Sequence, residues 1–286
     1  MSRFENVIIG CSSMIGVSMI KKIDHRSTIF TSRKKIPTIK KGTWIKQNLN
    51  KKISSKIPKK VKKIFFLASP YYINRNLFKK NSFKVEVQWI KKIIQNISCE
   101  KFIYISSSSA YEKNHVIGIY KKKCENIIKN SKIKYIQIWR PFNLVGYKNG
   151  LSDHFHNLLI KLFYIKRKKK HFFRGSQMDK KGYSSVEKFV SLVFFYSKLN
   201  KSFIYNYRNK NLIYVDDIVK IFQVAAKKTI KIEFSYSFKN KKKNLNKIQN
   251  KVRLAKNVFS RESSKNVLKN YYNKVFNRNA KLLQHL

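Results

Sequence analysis

Acidic side chains are scarce in this chain. Thirteen Asp and Glu stand against 65 Lys and Arg over 286 residues, a formal net charge of +52. Glycine (8) and proline (4) are rare as well, and there are three cysteines. Cys11, Cys99 and Cys124 form no CxxC pair and cannot all pair with one another, which fits reduced thiols in a cytosol rather than a disulfide framework. No apolar run reaches the length of a membrane span, and the opening MSRFENVIIG lacks the layout of a signal peptide, so a cytoplasmic protein without a membrane partner is expected.

What the chain does have is a core. Hydrophobic residues make up 43% and aromatics 14%, which excludes a disordered or fibrous protein and suffices for one large domain or one plus a small appendage. The positive charge has two readings. One is affinity for nucleic acid or another polyanion, with nonspecific RNA binding as its weakest form. The other is a biased genome, because lysine, asparagine, isoleucine, phenylalanine and tyrosine, all with AT-rich codons, are abundant together. The lysines spread along the whole length instead of forming one stripe, which favours the second.

Apolar strands alternate with amphipathic helices through the first half. Strands are expected at 6–10, 28–31, 64–68, 102–105 and 135–139. Helices are expected after Gly16, over 85–97 and from about Gly118 to Lys129, while 34–60 reads as lysine-rich and irregular. This alternation predicts an α/β fold, a Rossmann-type doubly wound parallel sheet with helices on both faces. Residues 1–150 form the dinucleotide-binding domain in this reading. Residues 151–286 form a smaller substrate-binding region, with helices at 155–165, 186–195 and 216–226, a mobile Lys/Asn-rich segment near 239–257, and a last helix capped by Ser264. Ser152 and Asp153 read as caps before FHNLLIKLF. His154 and His156 lie two apart on that helix and diverge by about 200°, so no metal site is expected.

Two stretches carry chemistry. Gly10-Cys-Ser-Ser-Met-Ile-Gly16 follows a strand and opens a helix, the placement a dinucleotide-binding turn requires. After the second strand come Ser32, Arg33, Lys34 and Lys35, with no acid to hold a ribose 2′-hydroxyl. An arginine there accommodates a 2′-phosphate, which tilts the cofactor toward NADP over NAD. The second stretch is Lys101 to Glu125, in which a buried-type strand delivers four serines to its carboxyl end, followed by Tyr111, Lys121 and Glu125. Ligands bind at the carboxyl ends of strands in open α/β sheets.

Taken in order, these motifs resemble the extended short-chain dehydrogenase/reductases, the NAD-dependent epimerase/dehydratase family that acts on nucleotide sugars. NVIIGCSSMIG is similar to the family's TGxxGFIG turn, FFLAS (65–69) to its HLAA strand end, FIYISSSSAY to its SSxxxY strand and WRPFNLVG (139–146) to its RPxNxYG segment. KKGYSSVEKF (180–189) parallels RDFxxVxD, and FIYNYRNKNLIYVDDIV (203–219) parallels a later YNxGxG segment. The resemblance covers roughly residues 4–225. It implies a cofactor site of Gly10, Ser12, Ser13, Met14, Ile15, Gly16, Arg33, Leu67, Ala68 and Lys121. It assigns Ser107 the place of the catalytic Ser/Thr that bonds the substrate oxygen, and Lys121 the lysine that holds the nicotinamide ribose. Asn143 and Lys181 match the residues near the sugar diphosphate of a nucleotide-sugar substrate, lysine replacing the family's arginine and losing its fork. A homodimer is a further candidate partner, although the sequence does not fix the oligomer.

One departure stands out. The family's YxxxK tyrosine falls on Ile117, and Ser13 replaces the middle glycine of the turn. A phenol lowered by a neighbouring cation supplies general acid/base catalysis, and its loss costs roughly 10²–10⁴-fold in rate. Tyr111 and Tyr120 are the candidate substitutes. Three functions stay open: a hydride-transferring nucleotide-sugar oxidoreductase, a catalytically impaired dinucleotide-binding descendant, and an RNA-associated basic protein.

Overall fold

The structure, a computed structural model, describes residues 4–36, 39, 42–70, 84–111, 116–146, 171–174, 178–227, 232–235 and 256–278. The expected helix at 155–165 with its two histidines, the basic run 166–170 and most of 239–257 lie outside them. In chain order the elements are β1 (Asn6–Ile9), α1 (Met14–Ile20), β2 (Thr28–Ser32), β3 (Thr43–Lys46), β4 (Lys60–Phe66), α2 (Lys84–Asn96), β5 (Ser98–Ile105), α3 (Val116–Lys129), β6 (Tyr135–Pro141) and β7 (Leu144–Val145). There follow β8 (His171–Arg174), β9 (Lys180–Gly182), β10 (Ser184–Ser185), α4 (Val186–Ser197), β11 (Phe203–Asn209), β12 (Leu212–Tyr214), α5 (Val215–Ala226), β13 (Ile232–Ser235), β14 (Lys256–Ser260) and α6 (Ser264–Arg278).

Eight strands form one sheet in the order β14-β11-β6-β5-β4-β1-β2-β3. From β3 to β6 every neighbouring pair is parallel. The run β3-β2-β1-β4-β5-β6 is the doubly wound order, whose direction reverses between β1 and β4. The strands read as apolar runs because both faces are covered. On one face Val7, Ile64, Phe66, Phe102 and Tyr104 pack with Trp89, Ile90 and Ile93 of α2 and with Cys124 and Ile128 of α3. Each such fully buried side chain contributes about 1.5–3 kcal/mol. On the other, Phe65 meets Phe194 edge-on, and Trp139 meets Tyr196, Phe203 and Tyr205.

Contacts divide the chain into two compact units. The first is Met1–Pro141 with Val190–Asn206 and Ala255–Asn257; the second is Phe142–Phe189 with Tyr207–Leu254 and Val258–Leu286. The second has its own core of Val145, Tyr183, Val215, Ile218, Phe222, Leu268 and Tyr272. Among the described residues no helix is long and apolar enough to cross a membrane, and no group of three or more His, Cys, Asp or Glu is placed to hold a metal.

Two expectations need correction. The stretch 34–60 contains β3, and its lysine-rich loop is ordered by polar anchors: Gln47 accepts from Ser54 N–H at 2.8 Å and donates to the Lys52 carbonyl, while Trp89 Nε1 donates to Asn50 at 2.8 Å. The last helix is capped by Ser263, whose hydroxyl accepts from Asn266 N–H at 3.3 Å and whose carbonyl accepts from Val267 N–H. Ser264 is buried, accepts from Tyr183 N–H at 2.9 Å and donates to the Asn211 carbonyl, so it fastens the helix start to the second unit's core.

At the β1–β4 reversal, Gly10 has φ +85°, and a Cβ there would sit 2.7 Å from the backbone nitrogen of Ala68. Gly10→Ala is therefore expected to cost about 2–4 kcal/mol in a urea unfolding experiment, from positive φ and steric overlap together; a loss under about 1 kcal/mol would contradict this geometry. Burial pushes the Cys11 thiol up to about 11 and the Cys124 thiol up to about 12. Both stay neutral in the fold while the unfolded thiols ionise near the ordinary value, so stability is complete below about pH 8 and falls as pH rises toward 11. The slope is about 1.4 kcal/mol per pH unit for each thiol. Cys11→Ala with Cys124→Ala should flatten this part of the pH profile.

Candidate active site

The first turn is built around its glycines. Gly10 and Cys11 donate their N–H groups to the Thr31 carbonyl, each at 3.1 Å, and Ser13 N–H returns to the Gly10 carbonyl. A Cβ at Gly16 would come within 2.5 Å of the Cys11 carbonyl oxygen, so the helix start can lie this close to the strand end only without a side chain. Ser13, in place of a middle glycine, caps α1 by accepting Gly16 N–H at 3.0 Å. Ser12 is exposed, and Met14 and Ile15 are half-buried. Leu67 continues β4 by donating to the Ile9 carbonyl at 2.8 Å, and Ala68 abuts Gly10. Arg33 is exposed immediately beyond β2. The glycine turn, Leu67 and Ala68 meet at the sheet's reversal point, and Arg33 lies beyond the next strand, β2. They fit a dinucleotide, since the glycines keep the turn free of side chains where a pyrophosphate would approach.

Beyond β5 the four serines part company. Ser106 is buried and donates to Glu125 Oε1 at 2.7 Å. Ser107 is half-buried, and its hydroxyl accepts from Ser109 N–H at 3.2 Å within a short 3₁₀ turn, Ser108–Tyr111. Glu125, fully buried on α3, is gripped by both ends of the Arg140 guanidinium, with Nε at 2.7 Å. Burial works against the Arg140 charge, but the Glu125 bonds outweigh it and raise the pKa further. The Arg140 guanidinium lies 4.5 Å from the centre of the Tyr111 ring, and the Tyr111 hydroxyl donates to Asn206.

A second buried carboxylate holds the site's lysine. Lys121 Nζ lies 2.7 Å from Glu86 Oε1 on α2, with side chains 7% and 2% exposed. The Tyr104 hydroxyl donates to the same oxygen at 2.8 Å, and Ser69 Oγ to the other at 3.4 Å. Burial first, and the Glu86 anion second, push the Tyr104 phenol well above its ordinary value, so it serves as a neutral donor. The ammonium thus points into the core between α2 and α3. One turn earlier Ile117 is half-buried and carries no polar atom. Tyr120 is half-buried as well, its ring 5.2 Å from Lys123 Nζ.

In the second unit, Asn143 adopts a left-handed conformation (φ 37°) and donates to the Gly182 carbonyl at 3.2 Å. Lys181 lies on β9, paired with Ile213 of β12.

The sequence reading overlooked Glu86 and assigned Arg140 no role. A signal for Glu86 existed: it is one of few acids, and it shares a helical face with Trp89, Ile90 and Ile93 at spacings of three, four and seven.

No family model matches this sequence, and no curated protein matches it significantly. Solved structures do match. The strand order, the glycine turn at its reversal and the serine-bearing end of β5 define a Rossmann-type protein with the fold of the extended short-chain dehydrogenase/reductases. UDP-glucuronic acid 4-epimerase from Bacillus cereus, solved with UDP-glucuronic acid and NAD, aligns with a TM-score of 0.69 at 16% identity, over 96% of this chain and 100% of the other. A UDP-galactose 4-epimerase aligns at 0.70 and 14% identity, over 96% and 99%. UDP-N-acetylglucosamine 4-epimerase from Methanobrevibacter ruminantium M1, in complex with UDP-N-acetylmuramic acid, aligns at 0.67 and 16%, over 97% and 100%.

Removing one partner of a buried ion pair strands the other charge, whereas removing both does not. Glu86→Gln is expected to cost about 3–5 kcal/mol, and Glu86→Gln with Lys121→Met to recover most of it, in urea unfolding of the single and double variants. Equal losses in both would show that the cost does not come from a stranded Lys121 charge.

Proposed function

We propose that the chain is an NAD(P)-dependent protein of the nucleotide-sugar epimerase/dehydratase type. The reading is carried by the Gly10–Gly16 turn at the β1–β4 reversal, with the serine-bearing end of β5 one strand further along the same sheet edge. The bound dinucleotide would supply hydride acceptance and return at a sugar carbon. The turn from Gly10 to Gly16 would take its pyrophosphate, Leu67 and Ala68 would line its path, and Arg33 would favour a 2′-phosphate. Ser107 would hydrogen-bond the sugar oxygen that loses or gains a proton, and Asn143 and Lys181 would meet the sugar diphosphate.

A second reading has its own observation. Ile117 offers no proton, and Lys121 is committed to Glu86, so neither half of the phenol–lysine couple is presented. This favours a descendant that binds cofactor and nucleotide sugar without rapid hydride transfer. Tyr111 would have to give up Asn206, and Tyr120 its place beside Lys123, to stand in.

Fluorescence titration with NADPH and NADH tests the common part. Saturable binding is expected, with NADPH preferred by several-fold and the preference abolished by Arg33→Ala. No binding of either dinucleotide would overturn both readings. Turnover of UDP-sugars with bound cofactor would then separate them, since the second predicts rates lower by roughly 10²–10⁴-fold.

A further inference from the structure

The Lys121 ammonium carries a charge that position 117 does not receive. Residues 117 and 121 stand four apart on α3 and so face each other. A bare ammonium there would lower a phenol placed at 117. In this protein the ammonium lies 2.7 Å from a carboxylate that is almost completely buried. Among the described residues no other cation is paired with Glu86. Its other partners are the Tyr104 and Ser69 hydroxyls, both neutral donors, and the neighbouring Cys124 thiol is kept neutral by burial. Arg140 is already spent on Glu125. If Lys121 turned away, Glu86 would be left buried and uncompensated, so the pair holds the side chain as well as cancelling its charge.

We propose that Glu86 is a positioning residue that locks Lys121 into a neutral pair, withholding its charge from the α3 face at position 117. The isoleucine at 117 and the acid at 86 are then two parts of one change: a site lacking the phenol also lacks the free cation that would activate it. Restoring the tyrosine alone would not restore the couple. The electrostatic lock stands on the geometry alone; only its consequence for turnover rests on the nucleotide-sugar reading.

The test introduces a phenol by Ile117→Tyr, with ¹³Cζ-tyrosine labelling, and follows its titration by NMR, the new signal being identified by difference from the parent. With Glu86 present the introduced phenol should titrate near the ordinary value of about 10. Adding Glu86→Gln should lower it by at least about one pH unit, as expected of an unpaired cation nearby. The variant carrying Glu86→Gln and Lys121→Met together removes both charges without stranding either, and keeps the test decisive if the single change prevents folding. The lock predicts that this double change leaves the phenol where it was, whereas a rise of a unit or more would show Lys121 already acting as a free cation and overturn the proposal. In parallel, peptide mapping after lysine acylation of the unaltered protein should find Lys121 modified at least tenfold more slowly than exposed lysines; modification at their rate would also overturn it. Both readouts are made without cofactor. Failure to bind NAD(P)H therefore counts against the functional reading alone.

Discussion

Two carboxylates buried beneath the end of β5 organise the core of the first unit. Glu86 and Glu125 are 1% and 0% exposed in a chain where acids are outnumbered by a wide margin. A buried carboxylate has to be paired and hydrogen-bonded, because an isolated one costs several kcal/mol or gives up its charge. Each is satisfied by cations and hydroxyls: Lys121 with Tyr104 and Ser69 for Glu86, Arg140 with Ser106 for Glu125, where Lys122 Nζ adds a looser ion pair at 3.7 Å. The two sets tie α2, α3, β5 and β6 together. They also dispose of the side chains that a catalytic reading would have left pointing outward. The serine strand supplies one member to each role, with Ser106 turned inward and Ser107 left half-buried.

The glycine turn and position 117 are under different constraints. The glycine turn depends on sterics: Gly10 and Gly16 occupy places where a Cβ would collide with backbone. A side chain at either position is costly whether or not a cofactor is used. Position 117 carries no such restriction, since a half-buried helical site accepts isoleucine readily. Lys121, by contrast, is held by the buried carboxylate of Glu86, whose charge requires a partner.

Much of this was legible beforehand. The apolar runs 64–68 and 102–105, the helix over 85–97 and the turn from Gly10 to Gly16 announced a doubly wound sheet, because burial on both faces leaves an unbroken hydrophobic signature. The strand Thr43–Lys46 was not legible. It is short and edge-placed, and it carries one buried apolar residue, Ile45, between half-buried Trp44 and exposed Lys46. The order of the loop after it comes from Gln47, Asn50 and Trp89, whose partners are set by three-dimensional neighbours rather than local pattern. Ser264 was misread as a cap for a related reason: adjacent serines offer the same local chemistry, and only the approach of Tyr183 and Asn211 distinguishes them.

Local sequence alone therefore determined the class of fold, the placement of the glycine turn and the absence of a phenol at 117. These follow from periodicity, backbone sterics and residue identity. The tertiary structure decided the fate of Lys121. Glu86 lies 35 residues away on a different helix, and only the packing of α2 against α3 brings its carboxylate to the ammonium. Ion pairing in a dry interior depends on that approach, to within a few ångströms, and on nothing a motif can encode.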